Sequence, residues 1–102
     1  MSKNLLKENY NDKVRIHIYI SGKVQNVFYR DFVKRHAIAL NVTGWVKNLP
    51  DGKVEIIAEG EKEKVKQMVD WVKQGPPAAQ VSNIDIERKE YKGEFKEFFI
   101  VY

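Results

Sequence analysis

Val14-Arg15-Ile16-His17-Ile18-Tyr19-Ile20-Ser21 alternates apolar and polar residues and runs directly into Gly22-Lys23-Val24-Gln25-Asn26-Val27-Phe28-Tyr29-Arg30. A period of two marks a half-buried strand. Asp31 to Leu40 then changes period: Tyr29, Val33, Ala37 and Leu40 share one helical face, with His36 beside it. A loop between a strand end and a helix start turns backbone N–H groups toward one point. Those donors have no partner inside the helix, and the helix dipole favours negative charge there. Arg30 falls in the first helical turn, where its planar fork can grip two oxygens of one phosphate. Gln25, Asn26, Val27, Phe28, Tyr29 and Arg30 are therefore the candidate phosphate-binding residues. An arginine at such a junction does not make a site by itself, so a second motif is needed.

Gly44-Trp45-Val46-Lys47-Asn48-Leu49-Pro50-Asp51-Gly52-Lys53-Val54, continuing to Gly60, supplies it. Pro-Asp-Gly is turn chemistry: proline presets φ and glycine accepts a positive φ. The hairpin strands are expected over 42–48 and 53–59, with Val54, Ile56 and Ala58 on one side. Asn48 precedes the turn, where its amide can project from the strand's end; ordinary turn capping is the plain alternative. Farther on, Glu61 and Glu63 open a second helix with apolar positions Val65, Met68, Val69 and Val72. Gly75 and Pro76-Pro77 end it. Closing strands are expected over 81–88 and 95–101, joined through Lys92-Gly93, and Asn41 is a candidate left-handed cap after the first helix.

This order describes an α+β, ferredoxin-like split βαβ sandwich: an antiparallel sheet of four to five strands with two helices on one face. A right-handed crossover makes the first two strands parallel, so their C-terminal ends share one sheet edge. The third strand lies between them, separating those ends by two spacings of about 4.8 Å. The loop carrying Arg30 leaves one end and Asn48 sits at the other.

The two motifs together resemble the acylphosphatase family. The first is similar to its G-x-V-Q-G-V-x-F-R signature, and the second resembles G-[FWY]-V-[KR]-N-x-x-x-G-x-V-x-x-x-x-x-G at every position. Gln74-Gly75-Pro76-Pro77-Ala78 resembles the family's Gly-Pro-Pro connection. The likeness runs from Val14 to Tyr102, with Asn26 where glycine is usual and Tyr29 where phenylalanine is common. It implies an acylphosphatase-like domain over 13–102, behind a loose polar arm over 1–12 in which Leu5 and Leu6 are the residues able to dock. It implies Arg30 and Asn48 as catalytic residues, with phosphate held by the 22–30 loop and Arg30, and a water oriented by Asn48. The reaction implied is metal-independent hydrolysis of acyl phosphates, which are carboxyl–phosphate anhydrides, to carboxylate and inorganic phosphate. No metal and no cofactor are expected.

The residues suit that chemistry. A carboxylate leaves without protonation, and phosphoryl transfer depends on positioning and on stabilising the equatorial oxygens. No metal-ligand cluster is visible. His17 and His36 read as surface or boundary residues, Asp31 as a first-turn acid, and Trp45 and Trp71 as packing residues with Trp71 partly exposed. Two other readings compete. One is a phosphate-binding or regulatory domain of the same fold with weakened catalysis, to which Asn26 lends weight. The other is an RRM-like RNA-binding module, but Lys53-Val54-Glu55-Ile56-Ile57-Ala58-Glu59 puts acids where that module needs aromatics.

Bulk properties bound the rest. The 102 residues hold one core, 43% of them are hydrophobic, and none is cysteine, which rules out disulfides and thiolate chemistry. No apolar run reaches the roughly 20 residues that span a bilayer. A cytoplasmic protein acting on a small molecule is expected, with inorganic phosphate as product and inhibitor, and with neither nucleic acid nor membrane as partner. A net charge of +4 suits anionic ligands. The C-terminal Phe98-Phe99-Ile100-Val101 strand is expected at a sheet edge, where it could pair with another chain.

Overall fold

The computed structural model describes residues 12–102. The arm expected over 1–12, with Leu5 and Leu6, thus lies outside the described residues except for Asp12. The chain forms β1 (Lys13–Lys23), α1 (Tyr29–Ala39), β2 (Thr43–Asn48), β3 (Val54–Glu61), α2 (Lys62–Gln74), β4 (Gln80–Lys89) and β5 (Phe98–Val101). The strands make one sheet in the order β4-β1-β3-β2-β5.

The alternation in β1 translates into two faces. Val14, Ile16, Ile18 and Ile20 are buried, while Arg15, His17, Tyr19 and Ser21 are only partly covered. Tyr29, Val33 and Ala37 of α1 and Val65, Met68 and Val72 of α2 share one core with those isoleucines and with Val46, Val54, Ile56 and Ala58. Each fully buried Ile or Val contributes about 1.5–3 kcal/mol. Both helices therefore cover one face. The other carries a mixed ladder in which His17 Nε2 lies 2.7 Å from Glu55 Oε2.

β3 pairs antiparallel with β1 and with β2, so it separates the two parallel strands as the topology requires. One pair departs from the antiparallel pattern: β5 runs parallel to β2, in the register Gly44↔Phe98 to Lys47↔Val101, and the sheet is mixed. The cause lies in the chain path. β4 occupies one edge and runs down, antiparallel to β1. The segment 90–97 crosses below the sheet, so β5 must return upward on the far edge, in the direction of β2.

Boundaries shift for physical reasons. α1 opens at Tyr29, earlier than the expected Asp31, and stops where Asn41 takes φ 58°. α2 stops at Gly75, φ 69°, whose N–H donates to Trp71 O at 2.9 Å. β5 begins at Phe98 rather than 95, and the segment that leads to it is held by Glu59, which is 1% exposed. Its carboxylate accepts the N–H groups of Lys92 (2.8 Å), Gly93 (3.2 Å) and Glu94 (3.1 Å) and Nη1 of Arg15 (3.1 Å). Backbone donors bound to a side chain cannot extend a ladder. Burial alone would raise the Glu59 pKa; the Lys92 N–H, the Arg15 guanidinium and the other two N–H groups outweigh it and hold the carboxyl below its ordinary range.

Candidate active site

The upper sheet edge begins at Gly22. Its φ is 123°, the β1–β4 register shifts between Ser21 and Gly22, and a Cβ there would lie 2.2 Å from Gln80 O. No side chain fits, so glycine turns the strand into the loop. Val24 and Val27 are buried and pin the loop to the core, whereas Asn26 and Phe28 face outward. Asn26 and Phe28 both take φ 62°. Asparagine tolerates the left-handed region better than most residues; phenylalanine does not. Phe28 is the N-cap of α1 and provides no side-chain hydrogen bond, so the first-turn N–H groups receive no side-chain cap.

Arg30 is the second residue of α1 and is half-buried. Among the described residues no carboxylate lies within ion-pair distance of it. Its Nη1 donates weakly to Val101 O at 3.4 Å, and its guanidinium carbon sits 4.8 Å from the centre of the Tyr102 ring. Asp31, the adjacent acid, is turned to Arg35 at 3.3 Å on the exposed helix face. The arginine is thus held by a carbonyl and a ring, with no charged partner among the described residues.

Asn48 ends β2. Its Oδ1 is buried and accepts no hydrogen bond among the described residues. The expected turn-capping alternative is not realised. Asp51 Oδ1 instead accepts the Lys53 N–H at 3.0 Å, and Leu49 N–H donates to Lys53 O at 2.8 Å. Gln25 completes that turn: its Nε2 donates to Leu49 O and to Lys53 O, both at 2.8 Å. The Gln25 side chain therefore braces the loop against the hairpin and is not aimed at an anion.

Arg30, Asn48, Asn26, Phe28 and Tyr29 line one open cleft of about 650 Å³, with Val24, Asp31, Ile100 and Tyr102. Gln25 and Val27 of the expected set are absent from its wall, one bound to the turn and the other buried. The Tyr29 ring is buried and its hydroxyl donates to Val72 O at 2.6 Å, which raises its pKa through burial and gives the extra hydroxyl a structural partner in α2. Ile100 and Tyr102 were not expected here. They arrive because β5 runs parallel to β2 and so ends at the same edge. His17 and His36 lie elsewhere; His36 stacks on Trp71 at 4.0 Å, and burial first, then Arg35, lowers its pKa. Among the described residues no group of three His, Asp or Glu side chains converges on one point. No helix of the described residues is long and apolar enough to cross a membrane.

A family profile described as Acylphosphatase matches residues 16–100. A protein named Acylphosphatase from Pelotomaculum thermopropionicum is 48% identical over 90 residues, covering 88% of this chain and 98% of that protein. An acylphosphatase structure from Coxiella burnetii superposes with a TM-score of 0.85 at 38% identity, covering 92% of this chain and 98% of the other. One from Bacillus subtilis gives 0.84 at 37% identity, covering 87% and 99%.

Proposed function

The chain belongs to the acylphosphatase family and hydrolyses acyl phosphates to carboxylate and inorganic phosphate, and from that premise we propose how its own residues do so. The phosphoryl group binds to the N–H groups at the start of α1 and to the Arg30 fork. Asn48 Oδ1 accepts a hydrogen bond from the attacking water and aims its lone pair at phosphorus. As the new P–O bond forms, the bond to the acyl oxygen breaks. The carboxylate leaves with the electron pair, and the water proton passes to a phosphate oxygen. Neither a general acid nor a metal is required, because the leaving group is stable as an anion and the equatorial charge meets preorganised donors. The observation that carries this reading is that one cleft joins an uncapped helix start, an arginine with no acidic partner and a buried amide oxygen with nothing to accept.

Purified protein should turn over benzoyl phosphate equally well with and without EDTA, and inorganic phosphate should inhibit competitively. Loss of turnover with chelator would overturn the metal-independent route; no turnover at all would overturn the whole assignment of roles.

Asn26 is, with Tyr29, one of the two positions where the first motif departs from the family pattern. Its φ of 62° is a conformation that costs about 1 kcal/mol relative to glycine. Its amide can also bond locally in the empty loop and favour other conformers. Asn26→Gly is therefore expected to raise kcat/KM and to tighten phosphate binding, by up to about tenfold if the competent loop is a minority state. Phosphate titration by calorimetry checks this. A folded variant no better than wild type would mean that asparagine is fully accommodated.

A further inference from the structure

We propose that the apolar rim of the cleft, Phe28 with Tyr102 and Ile100, is an acyl-binding subsite that favours substrates whose acyl group carries an apolar ring. The inference rests on the phosphate-cradle reading above and adds the half of the substrate that the cradle leaves unassigned. Phe28 is 82% exposed although its neighbours Val27 and Tyr29 are 7% and 1% exposed. An exposed ring is unfavourable in water, and a side chain at φ 62° is unfavourable in the backbone. Folding gains nothing from either, and among the described residues Phe28 stacks with no other ring. Such a residue is most simply understood by what it meets when the site is filled.

Its place says what that is. Phe28 stands two residues before Arg30 and lines the same cleft. Tyr102 is 92% exposed, with its ring 4.8 Å from the Arg30 guanidinium, and Ile100 adds a half-buried apolar wall. In an acyl phosphate the carbonyl carbon is one oxygen atom from phosphorus. With the phosphoryl group on the α1 N–H groups and Arg30, the acyl group must emerge within a few bond lengths of the cradle, against these rings. Among the described residues the one acidic side chain on the wall, Asp31, is paired with Arg35, so no uncommitted acidic side chain or lysine is offered to a charged acyl group. Pocket chemistry of this kind discriminates by apolar area covered. Covering one face of a phenyl ring corresponds to about tenfold in affinity.

Phosphonates test this without the differing reactivity of acyl phosphates. Phenylphosphonate should inhibit wild type about tenfold more tightly than methylphosphonate. Phe28→Ser should bring that ratio close to one, and Phe28→Leu should retain most of it. Acetyl and benzoyl phosphate are assayed in parallel. If wild type hydrolyses both but the phosphonate ratio is near one, or if the ratio survives in Phe28→Ser, the subsite is overturned and the hydrolase reading stands. If wild type hydrolyses neither, the cradle reading fails, while a phosphonate ratio near ten still supports an apolar subsite. Should Phe28→Ser not fold by circular dichroism, the wild-type ratio and Phe28→Leu decide the matter.

Discussion

Arg30→Ala is expected to lower kcat/KM for benzoyl phosphate by about 10³-fold or more, the range reached when a phosphoryl-transfer arginine is lost. That corresponds to about 4 kcal/mol of transition-state stabilisation. The guanidinium meets charge present in both the substrate and the transition state, so KM should rise and kcat should fall together. Arg30→Lys should recover little, because an ammonium is a point charge and cannot offer two parallel N–H bonds to one phosphoryl group. Stability should scarcely move. Arg30 has no ion pair among the described residues, only a 3.4 Å bond to Val101 O and the Tyr102 ring, and its loss falls within the ±0.5 kcal/mol typical of such positions. Steady-state kinetics with a thermal melt on each variant checks both halves. A folded Arg30→Ala within tenfold of wild type would remove the arginine from the mechanism.

The fold was legible wherever one face of an element is buried. Val14 to Ser21 could be read because period two must match a two-sided sheet, and the α2 stripe of Val65, Met68 and Val72 because its helix has one buried face. The shared edge of the β1 and β2 ends followed from the handedness of crossovers alone. What could not be read depends on contacts distant in sequence. Glu59 alternates with apolar neighbours and looks like a solvated acid. Its partners are N–H groups more than thirty residues away, on the segment that leads from β4 to β5. The parallel β2–β5 pair, and with it the arrival of Tyr102 in the cleft, likewise joins residues more than fifty positions apart.

The site divides in the same way. A positive φ at Asn26 was legible because asparagine stands where the family pattern has glycine. The same φ at Phe28 was not, because nothing in a phenylalanine announces a left-handed backbone. Gln25 lay in the expected binding loop, yet its role depends on reach: one amide group spans two carbonyls of the facing turn. Tyr29 could be named as a departure, but its acceptor on α2 is invisible until the helices are packed. Backbone donors, local geometry and topology were therefore accessible, whereas the direction of individual side chains was not.

Asn48→Ala is expected to lower kcat by about 10²- to 10³-fold, the loss found when one preorganised polar group is removed from a transition state. Phosphate inhibition should stay within about twofold of wild type, because the amide orients water and does not hold the phosphoryl group. The structure adds a second, independent expectation. Asn48 makes no side-chain hydrogen bond among the described residues, and its Oδ1 is buried without a donor, while the adjacent turn is closed by Asp51 and Gln25. Truncating a polar group that is already unsatisfied breaks no bond and relieves its desolvation, so Asn48→Ala should be as stable as wild type or more stable by about 1 kcal/mol. A turn-capping asparagine would behave in the opposite way, losing stability with little direct effect on chemistry. Denaturant unfolding and single-turnover kinetics on the same variant separate the two. A slower enzyme with an unchanged or raised midpoint fits the water-orienting role. A destabilised enzyme with near-normal kcat would return Asn48 to the turn and leave the attacking water to be oriented by some other group in the cleft.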